Sequence, residues 1–187
     1  TAITNTGTAV ILQANTDITP AAKSNITSNT PGGAAGAITM QAGRSVLLNS
    51  SITADNGALT LVANETLANG VDTAHRDPGV AVITQALGTT LNAGSGGISI
   101  TLADGAGRTG TKAQSGAINL EAMSTSGNLS VQNNGPIAGA DTFLSGNVDA
   151  GSMSVGAGTL TFSAANSNLG SLTAASGSTV DFTGGTT

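Results

Sequence analysis

Four chemically reactive side chains stand together in one short stretch of this chain. Asp72, His75, Arg76 and Asp77 lie within six residues, although only 8% of all residues are charged and there is one histidine. A histidine with two carboxylates is a plausible ligand set for a metal ion, and it also offers an acid/base pair. The simpler interpretation, which we prefer, is a solvated loop tip whose charges keep it out of the core. We therefore predict a contact loop here, with no metal, no cofactor and no catalytic residue.

A second set of carboxylates could serve the cleavage of a polysaccharide. Asp104 with Asp141 or Asp149 could supply the two acids that glycoside hydrolysis requires. Enzymes of that class also need aromatic platforms for the sugar rings, and the chain has no Trp and no Tyr. Its three phenylalanines are better explained as core residues; they are Phe143, Phe162 and Phe182. We predict that the chain is not an enzyme.

Other sites are disfavoured by motif and composition. The stretch DGAGRTGTK at residues 104–112 lacks the Gly-Lys-Ser/Thr ending and the following helix of a phosphate-binding loop. The five basic residues are scattered and have no aromatic stacking partners, so nucleic-acid binding has no support. The absence of cysteine excludes disulfides and thiolate sites. No apolar run is long enough for a transmembrane helix, so we expect no membrane insertion.

A repeated turn-and-strand motif must position all of these side chains. It reads GAITMQA at residues 36–42, GALTLVA at 57–63 and GAINLEA at 116–122. Apolar and polar residues alternate after each glycine, which is typical of a strand with one buried face. In the first copy, Ile38, Met40 and Ala42 are predicted to face the core. The 39% apolar content is high enough for a folded chain, but the small side chains favour a long, thin core.

The spacing of the motif indicates how the strands stack. Motif glycines at 36, 57, 96 and 116 are separated by 21, 39 and 20 residues, which fits a unit of about 20 residues if the longest step holds two units. The steps become shorter after Gly116, so several faces of the unit carry the motif there. This predicts an all-β fold, a parallel β-helix (β-solenoid) of about nine coils. A β-sandwich is the alternative, because it also shows alternating strands with turn signals.

The corners of such coils need residues that accept a positive φ, which favours Gly and Asn. Candidate corners are residues 55–57, 69–70 and 133–135, where Asp or Asn precedes Gly. We predict that residues 1–187 form a single solenoid segment of a longer protein, because the repeats run from near the start to the end. Extruded loops are predicted near 15–33, 65–79 and 104–112, where charges, Pro or Gly interrupt the alternation.

The motif, together with the linking text SVLLNSSITADNGALTLVANETL at residues 45–67, resembles the central repeats of filamentous haemagglutinin-like exoproteins. These are large surface adhesins exported by two-partner secretion. The resemblance implies a right-handed parallel β-helix that forms the shaft of a fibre at the outer surface of a Gram-negative bacterium. The family's secretion domain carries an Asn-Pro motif, and this chain has no Asn-Pro dipeptide. The resemblance therefore points to the shaft.

The expected function is structural: a repeat segment of a bacterial surface adhesin or extracellular fibre, acting as a rigid shaft with adhesive loops. Its expected partners are the remainder of the parent polypeptide, neighbouring copies stacked end to end, and a host or bacterial cell-surface receptor. One alternative is a self-assembling extracellular filament subunit, because an uncapped coil leaves an unpaired strand edge. The other alternative is a polysaccharide-acting β-helix enzyme, which would require Asp72, His75, Asp77 and Asp104 to converge in one groove.

Overall fold

The computed structural model describes residues 2–4, 7–30, 32–33, 35–68, 70–135, 137–156, 158–163 and 166–183. These residues form eighteen β-strands and two short 3₁₀ helices. Every strand pair in this described part is parallel. A β-sandwich is built from antiparallel sheets, so that alternative is wrong. The chain is an all-β protein of parallel strands.

The strands stack in three rows, and the first row, row I, begins near the N-terminus. Each of its strands pairs with the next one of the row along the chain. Row I consists of β1 (Ala2–Thr4), β3 (Ile26–Ser28), β6 (Ile52–Thr53), β9 (Thr90–Gly94), the first halves of β12 (Ala122–Asn133) and β14 (Val148–Val155), and β16 (Asn168–Leu169).

Row II contains most copies of the repeated motif. Because β12 and β14 run through without a break, rows I and II belong to one curled sheet. Row II consists of β2 (Val10–Ala14), β4 (Ile38–Ala42), β7 (Leu59–Ala63), β10 (Ile98–Leu102), the second halves of β12 and β14, and β17 (Leu172–Ala174).

Row III forms a separate sheet of six strands. It starts with a single bridge between Ile18 and Val46. Its strands are β5 (Val46–Leu48), β8 (Ala81–Gln85), β11 (Ser115–Leu120), β13 (Thr142–Leu144), β15 (Thr159–Phe162) and β18 (Thr179–Phe182).

The chain visits rows I, II and III in the same order seven times, and each pass is called a repeat below. Successive register partners in row II are Val10, Ile38, Leu59, Ile98, Leu129, Met153 and Leu172. The prediction of about nine coils is therefore wrong for the described residues. The reason is the step of 39 residues, which is one repeat and not two, because Leu59 pairs directly with Ile98.

One continuous core runs through the stack. The inward side chains of all three rows belong to a single cluster of buried residues. Ile38, Met40 and Ala42 are each 0% exposed, as the alternation predicted. Full burial of an aliphatic side chain of this size contributes about 1.5–3 kcal/mol, so the stacked columns supply much of the stability.

The phenylalanines do not all join this core. Phe162 is 3% exposed, whereas Phe143 is 37% and Phe182 is 62% exposed. Phe143 lies between the buried residues Thr142 and Leu144, and the alternation of the strand turns its ring outward. The prediction of three core phenylalanines is therefore correct only for Phe162.

The motif glycines form a column at the edge between rows I and II. A Cβ atom on Gly57, Gly96 or Gly170 would lie closer than 3.0 Å to the carbonyl oxygen of the motif glycine in the preceding repeat. None of these three has a positive φ. The repeated glycine is thus required by the close approach of neighbouring backbones, and not by the turn conformation that the sequence suggested.

Positive φ angles occur at other positions of the predicted corners. Asp55 and Asn56 have φ values of 39° and 70°, and Gly70 and Gly135 have 121° and 82°. Asn69, the remaining predicted corner residue of that pair, lies outside the described residues. Two corner types therefore exist, one that needs the left-handed conformation and one that needs the absence of a side chain.

The stretches predicted as loops lie at two different kinds of place. Residues 15–33 contain the Ile18 bridge and β3, so they include strand structure. Residues 65–79 and 104–112 both connect row II to row III, and they contain the 3₁₀ helices Thr73–His75 and Gly110–Lys112. Among the described residues, no helix has the length and apolar character that crossing a bilayer would require.

Candidate functional site

The candidate contact loop, residues 66–79, leaves the stack after β7 and returns at β8. It lies along the edge between rows II and III and is tied to repeats on both sides. The Asp72 N–H donates to Asn15 Oδ1 at 2.7 Å in the first repeat. The Gly79 N–H donates to Thr111 Oγ1 at 3.1 Å in the fourth repeat. The loop is thus docked along the stack.

Two of the predicted contact residues pair with each other at the surface. His75 Nδ1 lies 2.7 Å from Asp72 Oδ2, and both side chains are more than half exposed. Asp72 Oδ1 also accepts the Ala74 N–H at 2.8 Å, which caps the short helix. The Ala74 N–H and then the His75 ring lower the pKa of Asp72, because both stabilise its ionised form.

The other two predicted contact residues point in different directions. Asp77 is exposed, and its N–H donates to Thr16 Oγ1 at 3.1 Å. Arg76 is 1% exposed, and its guanidinium lies inside the edge of the stack. The surface of the loop therefore presents Asp72, His75 and Asp77. A contact role for these three stays a prediction, and Arg76 serves a structural purpose instead.

Arg76 binds backbone carbonyls on both sides of itself. Its Nε–H donates to the Gly43 carbonyl at 2.5 Å. Its two terminal nitrogens donate to the carbonyls of Asp77 at 2.8 Å and Gly79 at 2.9 Å. The side chain thereby connects the backbone of the contact loop to the second repeat.

Arg108 reaches the same place from the second loop. One terminal nitrogen donates to the Gly43 carbonyl at 2.9 Å and to Asn64 Oδ1 at 2.7 Å. The other terminal nitrogen donates to the Glu65 carbonyl, and Nε donates to Thr73 Oγ1 at 3.3 Å. Arg76, Arg108, Asn64 and Gly43 together are called the arginine corner below.

The arginine corner holds two positive charges without a paired carboxylate. Arg108 is 8% exposed, and among the described residues neither arginine has a carboxylate oxygen within salt-bridge distance. Burial, and next the charge of Arg108, lower the pKa of Arg76 to about 10. Burial also lowers the pKa of Arg108. Both groups remain protonated at neutral pH, so carbonyl oxygens must offset the cost of desolvating them.

Asn64 sets the geometry of this corner. It is 0% exposed and has a φ of 53°, a conformation that asparagine tolerates better than most residues. Its Nδ2 donates to the Ala103 carbonyl at 3.3 Å and to Ser115 Oγ at 3.1 Å. Its oxygen is then oriented toward the arginines. The sequence analysis missed this corner; the available signal was one arginine in each of two loops that follow a row II strand.

A salt bridge strengthens the same edge one repeat earlier. Arg44 contacts both carboxylate oxygens of Asp17, at 2.9 Å from Nε and 2.6 Å from a terminal nitrogen. Asp17 Oδ1 also accepts the Ser45 N–H at 3.0 Å. The Arg44 guanidinium lowers the pKa of Asp17 below its usual value.

This pKa shift predicts the pH dependence of an Asp17→Asn variant. Because the pKa is depressed in the folded state, the stabilisation is present above the unfolded pKa and is lost as pH falls through the folded pKa. The variant is expected to be less stable than wild type by about 1 kcal/mol at neutral pH. The difference should shrink below about pH 4. Thermal unfolding of both proteins across pH measures it, and a difference that persists unchanged in acid would contradict the assignment.

The carboxylates considered for polysaccharide cleavage have separate partners. Asp104 Oδ1 accepts the Ala106 N–H at 3.0 Å, whereas Asp141 Oδ1 accepts the Thr159 N–H at 3.4 Å. Asp149 lies in row I, where it accepts from Asn168 Nδ2 at 3.4 Å. Within the ranges that the structure describes, no three His, Asp or Glu side chains are grouped as metal ligands would be.

A concave groove runs along the edge between rows I and II. Its volume is about 520 Å³, and it is lined by small polar residues and glycines with one carboxylate, Asp149. It arises because the connection between the rows shortens from a turn in the third and fourth repeats to none in β12 and β14. The groove offers hydrogen-bonding groups but no nucleophile paired with a base.

Comparison with models of protein families, with curated proteins and with solved structures finds no match. The family resemblance therefore rests on the repeated motif alone. The motif has a clear physical meaning in this structure, since its glycine allows close stacking and its apolar residues fill the core.

Proposed function

We propose that this chain is a rigid structural segment of a bacterial surface adhesin or extracellular fibre, folded as a right-handed parallel β-helix. The observation that carries the proposal is the parallel register, which continues through all seven repeats of the described chain. In row II the residues of β7 pair one to one with those of β10, and those of β10 pair with β12. A stack of this kind transmits force through backbone hydrogen bonds.

The stiffness follows from how each repeat is held. Every interior repeat contacts the ones before and after it through three rows of strands, and the core is shared along the whole stack. At a rise of about 4.8 Å per repeat, the described stack spans roughly 30 Å. Many copies of such a unit in one polypeptide would build a long shaft, which is the form a surface adhesin needs.

The location and partners form part of the same proposal. The resemblance of the motif to filamentous haemagglutinin-like repeats supports an extracellular place on a Gram-negative cell. The contact loop supports a receptor contact, because Asp72, His75 and Asp77 are exposed on a backbone that is tied to the stack. The remainder of the polypeptide is the proposed neighbour at either end.

Limited proteolysis with trypsin tests the rigidity that the proposal requires. Lys23 is exposed in a turn with a φ of 63°, whereas Arg76 and Arg108 are 1% and 8% exposed. We expect the first cut after Lys23 and no cut after either buried arginine while the chain stays folded, because cleavage there needs local unfolding. Mass spectrometry of the fragments identifies the cuts.

A matched control separates local from general flexibility. The chain unfolded in urea and then diluted briefly into trypsin should be cut at all five basic residues. Early cleavage of the native chain after Arg76 or Arg108 would show that the loops open freely. A shaft exposed to proteases outside the cell could not work in that way, and the proposed function would then be wrong.

A further inference from the structure

The core columns are uncovered at the seventh repeat. Leu172 pairs in register with Met153, and Phe182 pairs with Phe162. Met153 and Phe162 are 1% and 3% exposed, but Leu172 and Phe182 are 37% and 62% exposed. The side chains of the seventh repeat thus stand at inward-facing positions, with nothing above them in the described residues.

The opposite end of the stack has the same character. Leu12 pairs with Met40, and Ile18 forms a bridge with Val46. Met40 and Val46 are 0% exposed, whereas Leu12 and Ile18 are only half-buried. Both ends therefore offer aliphatic side chains on the axis of the core, and the inward-facing positions described there carry no charge.

The two ends also fit each other geometrically. Each end has an outermost strand in row II that pairs on one side only, namely β2 at one end and β17 at the other. All strands run in the same direction within each row, so the free edge of β17 can accept β2 of another molecule in the parallel relation that repeats throughout the stack. An unpaired strand edge is a ready template for such an addition.

We propose that copies of this chain associate head to tail, with the seventh repeat of one molecule stacked on the first repeat of a second copy. This inference rests on the proposed β-helix fold. A second copy is the favoured occupant because one chain carries both halves of the interface, apolar against apolar and parallel edge against parallel edge. Such an interface is heterologous and does not close, so it builds filaments and not dimers.

Exposed apolar residues on the sides of the stack provide the contrast. Leu67 and Leu87 are 92% and 88% exposed. Each lies in a loop and not at an inward-facing position of a strand. Single exposed leucines of this kind are normal on protein surfaces and make a suitable control.

Light scattering coupled to size-exclusion chromatography, with negative-stain electron microscopy, tests the proposal over a wide range of concentration. The wild-type chain is expected to increase in mass with concentration and to form rods longer than one molecule. The double variant Leu172→Lys/Phe182→Lys should weaken association by about 100-fold or more, because it places charges in the apolar contact. The control variant Leu67→Lys/Leu87→Lys should associate like wild type.

A mixing experiment determines the direction of assembly. The Leu172→Lys/Phe182→Lys chain keeps an intact first repeat, so it should add to wild-type rods and stop their growth, which shortens them. Wild-type molecules that stay monomeric at every concentration, that stop at dimers, or that are affected only by the control variant would each overturn the proposal.

Thermal unfolding and circular dichroism of each variant keep the two proposals distinguishable. Phe182 packs on Phe162 with ring centroids 5.6 Å apart, so some loss of stability is expected in the double variant. A folded, protease-resistant monomer that never associates would end the head-to-tail proposal and leave the proposed shaft intact. A chain without cooperative β unfolding would instead contradict the proposed fold and function.

Discussion

Replacing Gly96 with alanine is expected to lower the free energy of unfolding by about 3 kcal/mol, one of the largest effects available to a single methyl group in this chain. The new Cβ would lie closer than 3.0 Å to the carbonyl oxygen and carbon of Gly57 in the preceding repeat. Backbone on both sides is fixed by parallel pairing, so neither repeat can retreat without breaking hydrogen bonds in row II. Urea denaturation of the variant and wild type measures the difference.

The neighbouring glycine provides a matched control. A Cβ atom on Gly97 would lie 3.2 Å from the Asn128 carbonyl oxygen, a tight contact that a shift of a few tenths of an ångström relieves. Gly97→Ala should therefore cost less than about 1 kcal/mol. Equal losses for the two variants would contradict the close-approach explanation, because both lose the same backbone entropy in the unfolded state.

Replacing Arg108 with methionine is expected to destabilise the chain by about 3 kcal/mol, because the arginine corner loses the donor that serves Glu65 and part of what serves Asn64. Methionine matches the length of the side chain, so lost packing contributes little. The contact loop should also loosen, since Arg108 donates to Thr73 within it. Urea denaturation gives the stability, and trypsin cleavage after Arg76 reports the loosening.

Two further variants define what Arg108 contributes. Arg108→Lys keeps the charge but cannot reach three separate acceptors, so it should recover only a small part of the loss. Arg44→Met removes a guanidinium with 26% exposure and should cost only about 1 kcal/mol. An Arg108→Met protein as stable as wild type would mean that repulsion between the two buried arginines cancels their hydrogen bonds.

The strands could be predicted from sequence because each copy of the motif carries its own signal. In 57–63, Leu59, Leu61 and Ala63 alternate with polar or smaller exposed groups, and all three are buried. The shortened spacing after Gly116 also indicated that several rows carry the motif, and Gly116 in row III with Gly127 between rows I and II confirms it. Local alternation is enough for such predictions, since a strand requires it wherever the strand pairs.

The number of repeats and the arginine corner could not be predicted in the same way. The step from Leu59 to Ile98 contains a loop whose length has no fixed relation to the stack, and its length happened to equal two units. Arg76 and Arg108 are 32 positions apart in sequence and share acceptors only because adjacent repeats bring two loops together. Charge in a Gly-rich loop suggested exposure, and long-range carbonyl acceptors reversed it for Arg76.

The sides of this stack differ in how much chain they let out. The edge between rows I and II is closed by glycines that touch the preceding backbone, and β12 and β14 pass it without a connection. The edge between rows II and III releases both long loops. A shaft made of such repeats would have a bare flank and a decorated flank along its whole length. Recognition would then be one-sided, and the decorated flank could diversify in evolution while the bare one stayed unchanged.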